Sequence, residues 1–218
     1  MANDMESRIT KFYAKHDPQI TINAAPGHFA AGASHTNFYI DITRIKVRVR
    51  EAQEAAKALR QHLQNHVYTV DTIVCLDGTE LLGGFLADEL ERSNFQMTNK
   101  HETMYVVTPE ENSLHQFMFR QNNRLAIEGK YVLLLVDNIS TGGTERRAME
   151  CIRYYGGLNV GIAAIFSTMN KVDQKECYSL FTPDDIPGYQ TYPAQDCPMC
   201  KKKIPVDAIV NGYGYAKL

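Results

Sequence analysis

Short apolar runs alternate with segments of helical periodicity through the middle of the chain. Four apolar runs, each bounded by turn-forming residues, predict buried strands at 72–76, 104–107, 131–136 and 160–166. Apolar residues at helical spacing predict helices over 49–66, 81–91 and 144–155, the last with Thr144 as its cap. A weaker run at 114–119 predicts one more strand. This alternation predicts an α/β fold with a mainly parallel twisted sheet flanked by helices.

The two ends of the chain lack this periodicity. The first 20 residues predict a short helix, and the Gly/Ala/Ser-rich stretch that follows predicts a loop leading into a strand at 38–42. The segment after about Ser167 is rich in Pro, Tyr, Asp and Lys, which predicts a partly irregular extension. We therefore expect one compact domain with an N-terminal segment (1–45), a core (46–168) and a C-terminal extension (169–218).

Composition narrows the class of protein and its partners. The chain has 218 residues, 44% of them apolar and 22% charged, which are ordinary values for a globular domain. The net charge of −2 predicts no nucleic-acid or membrane partner. Five cysteines without framework spacing, and an N-terminus without the apolar segment of a secretory signal, predict a soluble cytoplasmic protein.

The loop after the strand at 131–136 carries the strongest chemical signal. Asp137 ends the apolar run, and small residues with hydroxyls or unhindered amides follow just before a helix: Ser140, Thr141, Gly142, Gly143 and Thr144. Such a loop suits a phosphate, because unpaired amides and the helix dipole favour an anion. The spacing alone equally fits an ordinary strand–turn–helix connection.

The order of the residues resembles a known family. The segment LLLVDNISTGGT (133–144) is similar to the ribose-phosphate signature of type I phosphoribosyltransferases. The resemblance implies that residues 140–144 bind the 5′-phosphate of phosphoribosyl pyrophosphate and that Asp137 and Asn138 bind the ribose hydroxyls. Asn138 stands where the family usually has a second acid, so the charge that helps to stabilise a ribosyl cation is reduced.

Three further stretches extend the resemblance towards orotate phosphoribosyltransferases. The stretch 77–80 takes the place of the family's pyrophosphate loop, which implies roles for Asp77, Gly78, Thr79 and Glu80 together with Mg²⁺. HFAAGASHTNFYID (28–41) resembles the hood that covers the base, which places His35 and Tyr39 near the base. The stretch 185–207 resembles the C-terminal segment of one subfamily, with its Cys-Pro-x-Cys.

The resemblance fails in two places. The family's mobile catalytic loop carries a basic pair, whereas residues 117–130 offer Arg120 and Arg124 as the candidate catalytic cations. Many members also carry an Asp-Arg where this chain has Ser167 and Thr168. Because the family's loop often reaches a neighbouring active site, the resemblance implies a homodimer.

The CxxC formed by Cys197 and Cys200 leaves several possibilities open. A structural zinc site usually needs four ligands, and no second pair is present in the sequence. Cys177 and a histidine could complete the set, a dimer partner could supply the other pair, or the two thiols could be free.

These observations predict an enzyme that transfers ribose 5-phosphate from phosphoribosyl pyrophosphate to orotate and releases pyrophosphate, with Mg²⁺ bridging substrate oxygens. Two alternatives remain. Asn138 and the thin basic lid favour a non-catalytic sensor of phosphoribosyl pyrophosphate or a nucleotide, and the same fold could act on another base.

Overall fold

The computed structural model describes residues 5–93 and 95–218. In chain order, the strands are β1 (Thr10–Tyr13), β2 (Thr21–Ala31), β3 (Ser34–Asp41), β4 (Thr72–Cys75), β5 (Tyr105–Val107), β6 (Glu110–Glu111), β7 (Phe117–Met118), β8 (Tyr131–Ile139), β9 (Leu158–Ser167), β10 (Lys171–Val172), β11 (Lys175–Phe181), β12 (Thr191–Pro193), β13 (Ala208–Asn211) and β14 (Gly214–Lys217). The α-helices are α1 (Thr43–Val47), α2 (Val49–Leu63), α3 (Glu80–Glu91), α4 (Gly143–Tyr154) and α5 (Pro198–Lys201).

The central sheet has the strand order β10-β11-β9-β8-β4-β5, in which all neighbours except β10 and β11 run parallel. Its central strands β4, β8 and β9 are largely apolar and buried because helices cover both faces. Leu133 and Leu135 of β8 share one core cluster with α2 and α3, whereas Leu134 and Val136 share another with α4. The four strands predicted from the longer apolar runs, the three predicted helices to within three residues at each end, and the α/β class are confirmed, and the carboxyl ends of β4, β8 and β9 meet at one edge.

A second sheet, which we call the hood sheet, has the order β12-β3-β2-β13-β14, and β1 pairs with β2. The predicted loop at the start of this region is wrong, because β2 and β3 form a hairpin around Gly32, whose φ is +58°. The predicted N-terminal helix is also wrong beyond one 3₁₀ turn at Met5–Arg8, after which β1 begins. Pairing with distant strands, rather than local propensity, makes these segments extended.

The remaining differences concern boundaries and the C-terminal segment. Helix α4 begins at Gly143, with Gly142 as its N-cap in the left-handed region, so Thr144 lies inside the helix and does not cap it. The weaker apolar run forms only β7, which pairs with β6. Residues after Ser167 contribute strands to both sheets: β11 extends the central sheet, and β12, β13 and β14 complete the hood sheet. Among the described residues, no helix has the length and apolar character needed to cross a membrane.

Candidate active site

A cavity of about 260 Å³ lies between the carboxyl edge of the central sheet and the hood sheet. The central sheet and its loops contribute Asp77, Asp137, Asn138, Ser140 and Thr144. The hood sheet contributes Tyr39, Thr191 and the turn between β13 and β14. Ligands bind at this edge in parallel α/β sheets, so the two loops predicted from sequence meet in one candidate active site.

Asp137, at the floor of the cavity, forms a buried ion pair with Lys46, which lies outside the cavity lining. Lys46 Nζ lies 2.9 Å from Asp137 Oδ2 and donates to the carbonyl of Gly212 at 2.6 Å. The side chains of Lys46 and Asp137 are only 6% and 4% exposed. Burial raises the pKa of Asp137, and the ammonium of Lys46 opposes that rise. Sequence reasoning missed Lys46, because a single lysine between Ile45 and Val47 gives no signal of burial.

The loop after β8 is shaped as an anion site at the N-terminus of α4. Gly142 has φ of +76°, and a Cβ there would lie 3.2 Å from both methyl groups of Val172. A glycine is therefore required on both conformational and steric grounds. The exposed Thr141 and the half-buried Ser140 and Gly143 complete the turn before the helix.

Two arginines that sequence reasoning missed stand beside this loop. Arg146 Nε donates to Asp173 at 2.9 Å, and its Nη1 donates to the carbonyl of Thr141 at 3.2 Å. Arg147 Nη2 lies 3.4 Å from Thr144 Oγ1. Both guanidinium groups contact the loop, although Arg146 is paired with Asp173 and Arg147 lies 3.9 Å from Glu111, so part of their charge is already offset.

The loop after β4 brings only part of the predicted stretch 77–80 to the cavity. Asp77 and Gly78 both adopt the left-handed region, with φ of +54° and +78°. Burial, and then the charge of Asp137, raise the pKa of Asp77 to about 6. Thr79 is buried, and both its hydroxyl and its amide donate to the carbonyl of Leu76, so it closes the turn and does not line the cavity. Glu80 is exposed and accepts a hydrogen bond from Thr108 Oγ1 at 3.0 Å.

Of the two hood residues predicted near the base, the structure brings one to the cavity. Tyr39 lines it and packs against Tyr215, with ring centroids 5.3 Å apart, and burial raises the pKa of its hydroxyl. His35 does not line it, because its ring lies against His28 and Cys200 instead. Its predicted place near the base is therefore corrected: the ring belongs to a cluster with His28, Cys197 and Cys200, a contact between distant segments that the resemblance could not reveal.

The two predicted lid cations do not line the cavity. Arg120 is exposed and pairs with Glu110, with Nη2 to Oε2 at 2.6 Å. Arg124 pairs with Glu128 at 3.2 Å. Each guanidinium meets its carboxylate through two nitrogens, but both pairs are exposed to solvent, where water and salt screen the attraction between the charges.

Glu145, in the first turn of α4, is a buried carboxyl group that sequence reasoning also missed. Burial raises its pKa to about 7, and the charges of Asp77 and Asp137 add to the rise. A folded-state pKa above the unfolded value means that the neutral form favours folding. The stability that Glu145 contributes is therefore fully present below about pH 4.5 and is lost as the pH rises through 7.

We expect Glu145→Gln to stabilise the ligand-free protein at pH 8.5 by up to about 3 kcal/mol, because the amide stays neutral where the acid would ionise. At pH 4.5 the free energies of unfolding of the variant and the wild type should agree within about 0.5 kcal/mol, the usual scatter of a neutral substitution. Urea unfolding at the two pH values measures the difference. An equal effect at both would show that the charge of Glu145 does not cause it.

The two cysteines of the CxxC lie beside two histidines. Cys197, Cys200, His28 and His35 each offer one potential metal-ligating atom, and these four atoms lie within 4.8 Å of one another. Cys177, which the sequence offered as a possible third ligand, is not in this group. In the part of the chain that the structure describes, this is the one group of three or more His, Cys, Asp or Glu side chains close enough to hold a metal ion.

Comparison with known proteins agrees with this geometry. A family model described as a phosphoribosyl transferase domain matches residues 41–194. The chain is 26% identical to an orotate phosphoribosyltransferase from Sulfurimonas denitrificans, over 80% of this chain and 86% of that protein. It is 27% identical to one from Wolinella succinogenes, over 80% and 85% respectively.

Solved structures share the fold. A UMP synthase from Leishmania donovani aligns with a TM-score of 0.54 at 16% identity, over 73% of this chain and 33% of that one. An orotate phosphoribosyltransferase from Mycobacterium tuberculosis H37Rv aligns with a TM-score of 0.52 at 12% identity, over 75% and 91%. The match of the family model over most of the chain shows that this protein is an enzyme of the phosphoribosyltransferase family.

Proposed function

We propose that this enzyme transfers ribose 5-phosphate from phosphoribosyl pyrophosphate to orotate and releases pyrophosphate. The observation that carries the proposal is the position of Asp137 at the floor of the cavity, directly before the glycine-containing loop that begins α4. The curated relatives named as orotate phosphoribosyltransferases, which align over four fifths of the chain, support orotate as the base.

In this proposal the protein acts mainly by positioning and electrostatics. The amides of residues 140–144, with Arg146 and Arg147 beside them, bind the 5′-phosphate. Asp137 accepts hydrogen bonds from the ribose hydroxyls, and its negative charge, held by Lys46, stabilises the positive charge that develops on the ribose. Asn138 is exposed to the cavity and offers a carbonyl to the same hydroxyls. Tyr39 covers the base from the hood sheet.

The residues around Asp77 suit Mg²⁺. The ion prefers oxygen ligands and is usually bound by one or two carboxylates together with substrate phosphates. Burial, and then the charge of Asp137, raise the pKa of Asp77, so a cation there would stabilise a carboxylate that the protein itself only partly compensates through Lys46. Asp77 and Glu80 would hold the ion, and when bound it would neutralise charge on the pyrophosphate.

We also propose that the enzyme is a homodimer. Arg120 and Arg124 are exposed, and neither lines the cavity of its own chain. If each reaches the pyrophosphate in the site of a second copy, the two candidate catalytic cations of the predicted lid gain a role.

A panel of bases tests the proposed substrate. We expect the enzyme to release pyrophosphate from phosphoribosyl pyrophosphate when orotate and Mg²⁺ are present. With adenine, hypoxanthine or uracil in place of orotate, the release should be at least about 100-fold slower, because a site built to bind a polar group of its substrate rejects bases that lack that group. Turnover with a purine instead would reassign the base. Binding of phosphoribosyl pyrophosphate without turnover of any base would favour the sensor.

A further inference from the structure

Four potential metal ligands converge beside the β2–β3 hairpin of the hood sheet, and none of them lines the cavity of the candidate active site. His28 lies on β2 and His35 on β3, whereas Cys197 is the N-cap residue of the short helix α5 and Cys200 lies within that helix. Cys197 Sγ lies 3.5 Å from His28 Nε2, and Cys200 Sγ lies 3.6 Å from the same nitrogen and 3.3 Å from His35 Nδ1. The ligands come from opposite ends of the chain and meet through tertiary structure alone.

The tautomer of His28 leaves its Nε2 free to bind. His28 Nδ1 lies 2.9 Å from the carbonyl oxygen of Ile204 and 3.2 Å from that of Pro205. A carbonyl only accepts hydrogen bonds, so Nδ1 carries the proton and Nε2 of the neutral ring presents a lone pair to the two thiols. A hydrogen bond from the second ring nitrogen to a backbone carbonyl is the usual support of a metal-binding histidine.

The distances suit a tetrahedral ion. Zinc binds nitrogen at about 2.0–2.1 Å and sulfur at about 2.3 Å, so ligands in a tetrahedron stand roughly 3.3–3.8 Å apart. The three nitrogen–sulfur distances lie in this range. His28 Nε2 and His35 Nδ1 are 2.8 Å apart and would separate by about half an ångström around an ion.

We propose that His28, His35, Cys197 and Cys200 bind one structural zinc ion. Two imidazoles and two thiolates in a tetrahedron are the ligand set typical of Zn²⁺. Binding releases the two thiol protons to solvent, and the resulting thiolates neutralise the charge of the ion. All four positions are filled by protein ligands, which indicates a structural rather than a catalytic role.

The ion would connect the hood hairpin to the C-terminal segment. The backbone already makes part of this connection: the amide of His28 donates to Asp207 Oδ2 at 2.8 Å, and Arg8 donates to Asp207 Oδ1 at 2.9 Å. Asp207 is followed at once by β13, which leads to Gly212 above Lys46. The zinc would therefore hold in place the strand pair that closes the active-site cavity.

Metal content tests the site, with Cys177→Ser as the matched control because Cys177 is a free thiol outside the group. We expect one zinc per chain in the untagged wild type and in Cys177→Ser, and less than about one tenth of that in Cys200→Ser and in the double variant Cys197→Ser/Cys200→Ser. A wild type without zinc after reconstitution with Zn²⁺ would overturn the proposal. So would Cys200→Ser with a full zinc content, or a disulfide between Cys197 and Cys200.

Cobalt substitution and chelation test the proposed zinc site in the wild-type protein, so they apply even if the cysteine variants fail to fold. Reconstitution with Co²⁺ should give the intense visible bands of a tetrahedral ion and a thiolate-to-cobalt charge-transfer band. The weak spectrum of an octahedral ion would contradict the assignment. A strong zinc chelator should lower the Tm of the wild type and of Cys177→Ser by at least about 5 °C. An unchanged Tm in both would show that no metal contributes to the fold.

Discussion

Replacing Lys46 with methionine should lower turnover by at least about 100-fold and destabilise the fold by about 3–5 kcal/mol. The reason is the burial of Asp137, whose carboxylate has Lys46 as its ion-pair partner at 2.9 Å. Without the ammonium, burial is left to raise the pKa of Asp137 further, and a protonated Asp137 cannot stabilise positive charge on the ribose. Urea unfolding and steady-state kinetics measure the two effects separately.

A second substitution separates stability from activity. In Lys46→Met/Asp137→Leu both charges are removed, so most of the lost stability should return, whereas turnover should not. Lys57→Met is the matched control, because Lys57 forms an exposed pair with Glu54 that contributes about 0–1 kcal/mol. If the free energy of unfolding of Lys46→Met were within about 1 kcal/mol of the wild-type value, the ion pair would not have the role we assign to it.

Gly212→Ala should reduce turnover by at least tenfold and destabilise the fold by about 1–3 kcal/mol, because the new Cβ overpacks the floor of the cavity. It would collide with Asp137 Oδ2 and lie 3.4 Å from the Cβ of Asp77. Gly212 does not adopt a positive φ, so alanine meets no backbone penalty there and the effect is steric. Relief would require the turn between β13 and β14, or the carboxylate of Asp137, to move.

Gly84→Ala makes the same chemical change without the collision. A Cβ at Gly84 meets nothing within 4 Å, and the residue lies inside α3. Alanine there should stabilise the protein by about 0.5–1 kcal/mol and leave turnover unchanged. Thermal unfolding and kinetics of the two variants side by side give the comparison. If Gly212→Ala had the same stability and turnover as Gly84→Ala, the turn between β13 and β14 would not pack against Asp137 as closely as the structure indicates.

The part of the site that could be predicted from sequence is the part made by neighbouring residues. The apolar run of β8, the acid at its end and the small residues before α4 lie within 14 positions, and each follows from local periodicity or local chemistry. The strand, the loop and the helix are therefore found as expected. Even here Thr144 does not cap the helix, because the left-handed Gly142 provides the turn.

The remaining parts depend on contacts between distant residues. Lys46 is buried because Asp137, 91 positions later, and the carbonyl of Gly212, 166 positions later, surround its ammonium. Residues 28–37 have the composition of a loop, yet they become parts of β2 and β3, which pair with each other and with β1, β12 and β13. His28 and His35 lack a metal-binding spacing of their own, and only the fold brings them to Cys197 and Cys200.

The measurement that tests the central claim most directly is the consumption of orotate in the presence of phosphoribosyl pyrophosphate and Mg²⁺, followed by the fall in orotate absorbance. We expect the wild type to consume orotate, and the near-isosteric Asp137→Asn, checked for its fold by circular dichroism, to be slower by at least about 100-fold. Consumption that is equally fast in Asp137→Asn would contradict the role of Asp137. No consumption by a folded wild type that binds phosphoribosyl pyrophosphate would contradict orotate as the substrate.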